Sequence, residues 1–173
     1  MKIDGIVLTV PMPANLMHFY CSKLQDVQKK YKSARRGADG TILFDLSKDD
    51  PNKLQAIVDA VKTAPNITMR ESRKQNDKNK SFLEMLDVRN QIHKGNGLSV
   101  EAIAKSIDVS KYDTSMIAND PEYKDEELHA FHNLRIYGIT DTKADRVYVK
   151  FWVPGKGNPE IVSMHRSNEQ KHF

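Results

Sequence analysis

Residues 146–153, RVYVKFWV, alternate between two kinds of side chain and therefore predict a β-strand. One set is apolar and suits a protein core: Val147, Val149, Phe151 and Val153. The other set interleaves two cations with two aromatic rings: Arg146, Tyr148, Lys150 and Trp152. Successive side chains of a strand point to opposite faces of its sheet. The chain is therefore expected to contain a sheet with one apolar face and one face of cations and aromatic rings.

Two more strands are predicted near this one, at about 133–139 and 160–166. The connecting segments TDTKAD and PGKGNP are rich in turn residues, which favours an antiparallel meander. The alternation in HNLRIYGI and EIVSMHR adds further polar side chains to the same side. We call the resulting surface the basic face, made of Arg135, Tyr137, Arg146, Tyr148, Lys150, Trp152 and His165. Arg166 follows at the end of the last strand.

The first 70 residues predict a β-α-β-α-β unit. Strands are expected at 2–9, 41–46 and 66–70. A first helix covers the apolar positions from Met17 to Tyr31, and a second begins near Pro51, with Asp49 or Asp50 as its cap. Alternating strands and helices are typical of α/β structure with right-handed crossovers.

The middle of the chain is more polar. Residues 71–80, ESRKQNDKNK, predict a linker or loop, and helices are expected at about 81–93 and after Ser99. Residues 109–131 are predicted to be irregular and acidic, with Pro121 excluding a long helix. The fold class is thus α/β or α+β: the N-terminal unit, two helices and a C-terminal three-stranded antiparallel sheet. The expected domains are 1–70 and 71–173, unless the two sheets are continuous and form one domain.

Composition limits the classes of function. Hydrophobic residues make up 39% of the 173 residues and charged residues 29%, with no apolar run near the roughly 20 residues of a membrane span. The N-terminus lacks the pattern of a signal peptide, so a cytoplasmic protein without a membrane partner is expected. His129 and His132 have a spacing that could bind metal, but no Cys or carboxylate completes the set, and no metal or cofactor is predicted. The net charge of +4 favours polyanion binding.

The basic face suits RNA in two ways. Aromatic rings stack nucleobases while cations hold phosphates, which assigns RNA binding to Tyr137, Tyr148, Trp152 and Arg166. Cations and a histidine can also cleave RNA without metal, by stabilising the crowded phosphorane and transferring protons. That chemistry assigns catalysis to Arg135, Arg146, Lys150 and His165. The structural alternative is that Tyr148 and Trp152 pack beneath the N-terminal unit.

From residue 66 onward the predicted order is strand, helix, helix and three antiparallel strands, with arginines on the strands and a terminal HR followed by an aromatic residue. This order resembles the RelE/ParE superfamily of bacterial toxins. The resemblance implies a ribosome-dependent or free mRNA endonuclease that an antitoxin neutralises. It places Arg135, Arg146, Lys150 and His165 where that family carries catalytic cations. The first 65 residues and the insert at 109–131 depart from the family's compact form.

Two further functions compete with RNA binding. The stretch LSVEAIAKSIDVSKYDTSMI resembles the first helix and turn of a helix-turn-helix, which would make the protein a DNA-binding regulator. The basic face could instead bind another protein, as in a non-enzymatic regulator of phage or plasmid origin. Salt dependence separates these classes, because phosphate contacts weaken steeply with salt.

Overall fold

The computed structural model describes the backbone of residues 2–3, 6–7, 14–92, 99–135 and 146–167, and the side chains of 22–91, 99–135 and 146–167. Over these ranges the chain is a mixed α/β protein with six helices and a seven-stranded mixed sheet. No helix in these ranges is long and apolar enough to cross a membrane.

The helices are α1 Ala14–Lys30, α2 Leu46–Asp49, α3 Pro51–Thr63, α4 Glu71–Lys74, α5 Asp77–Ile92 and α6 Val100–Ala104. The strands are β1 Lys2–Ile3, β2 Ile6–Val7, β3 Arg35–Arg36, β4 Ile42–Phe44, β5 Thr68–Met69, β6 Tyr112–Ile117, β7 Glu127–Arg135, β8 Arg146–Trp152 and β9 Glu160–Arg166. Short 3₁₀ turns occur at Val109–Lys111 and Pro121–Tyr123.

The large sheet has the order β3-β4-β6-β7-β8-β9-β5. All neighbouring strands are antiparallel except β9 and β5, which are parallel. The prediction of a three-stranded C-terminal sheet was therefore wrong, because β6 extends the antiparallel set and β4 and β5 join it at either side. Within the described residues, strands β4 and β5 do not pair with each other, and β1 pairs with β2 in a separate two-stranded sheet.

The apolar set of β8 lies in the main core, as predicted. Val147, Val149 and Phe151 are fully buried, and Val153 is partly buried against the same cluster. Helices α3 and α5 cover this face with apolar side chains such as Val58 and Phe82. Their burial drives the packing, because a fully buried aliphatic or aromatic side chain contributes roughly 1.5–3 kcal/mol.

The predicted N-caps of two helices, α3 and α6, are confirmed. The side chain of Asp50 accepts a hydrogen bond from the backbone N–H of Lys53 at 2.9 Å and caps α3, with Pro51 in its first turn. Ser99 caps α6 in the same way, accepting from the N–H of Ala102 at 2.9 Å. These polar side chains satisfy N–H groups that have no partner within the helix.

Two predictions for the middle of the chain were wrong. The polar stretch 71–80 contains α4 and the first turn of α5 rather than a linker. The stretch 109–131 contains β6 and most of β7 rather than irregular chain. Since Tyr112–Ile117 is a strand, the segment KYDTSMI does not form a recognition helix, and the helix-turn-helix interpretation was also wrong.

Candidate functional site

The basic face forms across β7, β8 and β9. Arg135 lies directly opposite Arg146, and Tyr148 lies opposite His165. Lys150 lies between Ala130 on β7 and Ser163 on β9. The sheet therefore brings together five of the predicted site residues, Arg135, Arg146, Tyr148, Lys150 and His165, on the side away from the main core.

Arg135 and Arg146 form a pair of like charges at one end of the face. Like charges directly opposite each other in an antiparallel pair are destabilising. Arg135 is exposed and Arg146 is half-buried, so both can be reached from solvent. Two neighbouring guanidinium groups are suited to bind a phosphate through several hydrogen bonds at once.

Tyr148 and His165 stack on each other in the next pair. Their ring centroids are 4.8 Å apart and the rings are inclined by 21°. The Nδ1 atom of His165 lies 2.8 Å from the backbone oxygen of Arg166. Since a carbonyl oxygen only accepts, Nδ1 carries a proton, and in the neutral ring Nε2 is the acceptor. Burial raises the pKa of Tyr148 above its usual range, so its hydroxyl stays a neutral donor.

Lys150 occupies the middle of the face between two small side chains. Ala130 is fully buried, and Ser163 and Lys150 are half-buried. Burial lowers the pKa of Lys150, and the nearby charge of Arg73 lowers it further, while Asp120 acts in the opposite direction. No carboxylate of the described side chains forms an ion pair with Lys150. Such a lysine can bind an anion without first breaking a salt bridge.

The other end of the face is covered. Trp152 packs against Tyr123, with ring centroids 5.6 Å apart, and both belong to a small second core with Leu128 and Val162. The guanidinium carbon of Arg70 lies 4.8 Å from the centroid of Tyr123 and 5.8 Å from that of Trp152. Trp152 is thus partly covered by Tyr123 of the Pro121–Tyr123 turn and by Arg70.

Acidic side chains hold this turn against α4. Arg73 contacts Asp120 at 2.7 Å and Glu122 at 3.4 Å. Arg70 contacts Glu160 at 2.8 Å and Glu122 at 3.8 Å. The guanidinium of Arg73 lowers the pKa of Asp120. Acid groups therefore neutralise the two arginines that border the covered end, whereas Lys150 beside them has no such contact.

A β-bulge adds a histidine that sequence reasoning did not assign to the face. The pairing of β6 with β7 shifts at Asp113, and that of β7 with β8 shifts after Phe131. His132 lies in the second irregularity, with its Nδ1 3.7 Å from Oδ1 of Asp113. The charge of Asp113 also reaches Tyr148 and raises its pKa. The spacing of His129 and His132 in the sequence suggests only a metal site. The sequence does not mark the bulge that places His132 on the basic face.

Two other predicted or candidate residues, Arg166 and His129, lie elsewhere, and a third cannot be placed. Tyr137 is outside the described residues. Arg166 is exposed and lies opposite Val147, so strand alternation places it on the other side of the sheet from His165. His129 points into the core, and no cluster of three or more His, Cys, Asp or Glu side chains suited to metal binding occurs in the described part of the chain.

Two polar networks lie on the helix-covered side. Glu127 accepts hydrogen bonds from Lys30, Lys53 and Tyr31, which together lower its pKa to about 2 against the opposing effect of burial. His129 contacts Ser115 at 2.8 Å through Nδ1, and burial lowers its pKa to about 4. Ser115 is fully buried, so a substrate cannot reach it. These hydrogen bonds connect β7 to α1, α3 and β6.

Comparison of the chain with protein-family models, with curated proteins and with solved structures finds no match.

Proposed function

We propose that the protein binds single-stranded RNA on the basic face and cleaves it without metal, as an endoribonuclease of the toxin–antitoxin type. The observation that carries the proposal is the grouping of Arg135, Arg146, Lys150 and the stacked Tyr148 and His165 on one face. Cations beside aromatic rings are the usual surface for single-stranded nucleic acid. Lys150 adds a half-buried charge without an ion-pair partner among the described side chains.

The chemistry follows from these side chains. The ribose 2′-oxygen attacks the adjacent phosphorus, and the bond from phosphorus to the 5′-oxygen breaks. Arg146 and Lys150 stabilise the negative charge that develops on the phosphorane, and Arg135 holds the neighbouring phosphate. His165 exchanges a proton with the reacting oxygens, because histidine is the side chain suited to proton transfer near neutral pH. Tyr148 donates a hydrogen bond or stacks on a base.

The proposed biological role follows from the RelE/ParE resemblance of residues 66–173. A protein antitoxin would then cover the basic face and block RNA. Expression of the chain should arrest growth and cut cellular mRNA, and the Lys150→Ala variant should relieve both effects. Growth without arrest and with intact mRNA would remove the toxin role but leave RNA binding to be judged in vitro.

RNA binding is tested by the salt dependence of affinity for a short single-stranded RNA. Three phosphate contacts predict that log K falls with log salt with a slope of about −2, since each contact on a single strand contributes about −0.7. Lys150→Ala should reduce the slope by about 0.7. The matched control is Lys62→Ala, which removes an exposed lysine on α3 at the helix-covered side and should leave the slope unchanged.

The outcome also separates the proposal from a protein-binding role. Absence of RNA binding at moderate salt would overturn the proposal. Tight binding to a protein with little salt dependence would favour the regulator instead, because an aromatic protein interface depends weakly on salt.

A further inference from the structure

Two histidines, His132 and His165, lie at the end of the basic face away from Trp152, and the proposed function uses only His165. His132 and Asp113 are each about two-fifths exposed, at 41% and 42% of their side-chain surface. Alternation after the core residue Phe131 directs His132 to the same side as Tyr148. The cluster of Asp113, His132, Tyr148 and His165 therefore spans four neighbouring strands.

We infer that His132 is a second proton-transfer group of this site, and that His132 and His165 flank one phosphodiester from opposite sides. The inference rests on the proposed function and names its second catalytic residue. Asp113 is a positioning residue that acts through His132.

The spacing of the strands supports this assignment. His132 on β7 and His165 on β9 are separated by β8, so their backbones are roughly 9–10 Å apart at about 4.8 Å per strand. Side chains on one face of strands that are two apart can reach the attacking and leaving oxygens of one phosphodiester, each through a hydrogen bond of about 2.8 Å. Tyr148 lies between the two histidines, where its hydroxyl can bind a non-bridging phosphate oxygen.

The contacts of the two imidazoles indicate which reaction step each serves. His165 donates from Nδ1 to the carbonyl of Arg166, which leaves Nε2 as the acceptor that a general base needs. His132 Nδ1 lies at ion-pair distance from Asp113, a contact that a protonated imidazole makes with a carboxylate. Other groups near the pair are Tyr148 and Lys111, whose Nζ bonds the backbone oxygen of Asn133 at 3.2 Å.

The step then balances without a further reactant. His165 takes the proton of the 2′-hydroxyl as the 2′-oxygen bonds to phosphorus. His132 gives a proton to the 5′-oxygen as its bond to phosphorus breaks. The products are a 2′,3′-cyclic phosphate and a 5′-hydroxyl, and proton exchange with water restores both imidazoles. A DNA strand has no 2′-hydroxyl and cannot react.

The test is the pH dependence of single-turnover cleavage of a short RNA. The wild type should give a bell-shaped profile, because the base must be neutral and the acid protonated. His132→Gln should lose the limb at high pH, and His165→Gln the limb at low pH. Each change should slow cleavage by roughly 10²–10⁴. Lys62→Ala is the control that should keep both limbs.

A second substrate separates an acid role from a structural one. In uridine 3′-(4-nitrophenyl phosphate) the nitrophenolate leaves without being protonated. His132→Gln should therefore react with it within about threefold of the wild-type rate, whereas His165→Gln should stay slow by roughly 10²-fold or more. His132→Asn and the melting temperature of each variant check that the fold is retained.

The possible results discriminate between the two claims. If the wild type cleaves RNA and His132→Gln keeps its rate and its limb at high pH, this inference is overturned and the proposed function stands. If His132→Gln slows cleavage of RNA and of the nitrophenyl substrate equally, the acid role of His132 is overturned as well. If the wild type cleaves neither substrate, the ribonuclease function fails together with the inference.

Discussion

At the scale of single residues, the burial of Phe151 shows which face of the sheet belongs to the core. It is fully buried, and its ring meets that of Phe131 edge-on with centroids 6.0 Å apart. Phe151→Ala should lower the free energy of unfolding by about 3–5 kcal/mol, the usual cost of truncating a buried phenylalanine. Urea denaturation measures the change. Val109→Ala is the control, because Val109 is 47% exposed and should alter stability by about 0.5 kcal/mol or less.

His129 predicts a pH dependence of stability. Its pKa in the folded protein is about 4, below the value near 6.5 of an unfolded chain. The unfolded state therefore binds more protons between these values, so stability is fully present above pH 6.5 and is lost as the pH falls towards 4. The loss is roughly 3 kcal/mol, since one pKa unit corresponds to about 1.36 kcal/mol.

The variant that checks this window is His129→Gln, which cannot titrate but can still bond Ser115. Its unfolding free energy should be nearly constant between pH 6.5 and 4.5, although lower overall. Below pH 4.5 both proteins should weaken together, because Glu127 has a folded pKa of about 2 and loses its contribution as it is protonated. An unchanged slope above pH 4.5 in His129→Gln would contradict the assignment to His129.

Single residues also show how far the sequence predicts the site. The sequence correctly places Lys150, Tyr148 and His165 on the face away from the main core, because alternation along a strand fixes the face of each side chain. It does not place His132 there, because a bulge shifts the pairing by one residue and the sequence does not mark where. Trp152 was placed on the correct face, but the turn that covers it comes from a segment distant in sequence.

At the scale of elements, β7 shows why most of a central strand escaped prediction, since the strand predicted at about 133–139 covers only its last three residues. Leu128, His129, Ala130 and Phe131 are all buried in succession, since the main core covers one face here and the second core covers the other. Such a strand has no alternation of polar and apolar residues. The acidic residues before it then suggested an irregular segment.

Helix α5 shows the opposite case, in which a polar stretch of sequence forms a helix and one of its polar side chains is buried against the sheet. Asn79 is buried and its side chain binds the backbone of β9, accepting from the N–H of Met164 at 2.9 Å and donating to the oxygen of Val162 at 3.2 Å. It also donates to the backbone oxygen of Arg73 at 2.9 Å. The amide thus satisfies backbone groups of β9 beyond its short pairing with β5.

Asn79→Ala should therefore lower the free energy of unfolding by about 1–3 kcal/mol, because buried backbone groups lose their partners. Hydrogen exchange at the Met164 amide should accelerate by more than at Val149, whose pairing does not involve Asn79. Lys80→Ala, at the exposed neighbouring position, is the control and should change neither quantity. Equal exchange at Met164 in both variants would show that the amide does not protect this edge.

At the scale of the whole molecule, one sheet combines strands from early and late parts of the chain. Strands β3 and β4 lie at one side and β5 at the other, with the four long C-terminal strands between them. Local patterns predict helices and strands but not this order, since pairing between distant segments depends on the burial of the entire sheet. The same arrangement brings α4 and the Pro121–Tyr123 turn to the covered end of the basic face.

On the proposed function, the acidic residues of that turn should limit RNA binding on the whole face. Asp120 and Glu122 neutralise Arg73, and Asp120 also acts on Lys150. Asp120→Asn/Glu122→Gln should strengthen RNA binding at low salt by roughly twofold to thirtyfold, since exposed charges contribute about 0.2–1 kcal/mol each. The gain should vanish near 1 M salt, where the screening length is about 3 Å.

The control for this change is Asp26→Asn/Asp59→Asn, which removes the same charge from α1 and α3 on the helix-covered side. Fluorescence anisotropy with a labelled RNA at several salt concentrations measures both variants. A larger gain for the turn variant means that its carboxylates act locally on Arg73 and Lys150. An equal gain in both variants would show that only net charge matters, and the turn would then have no regulatory effect on the basic face.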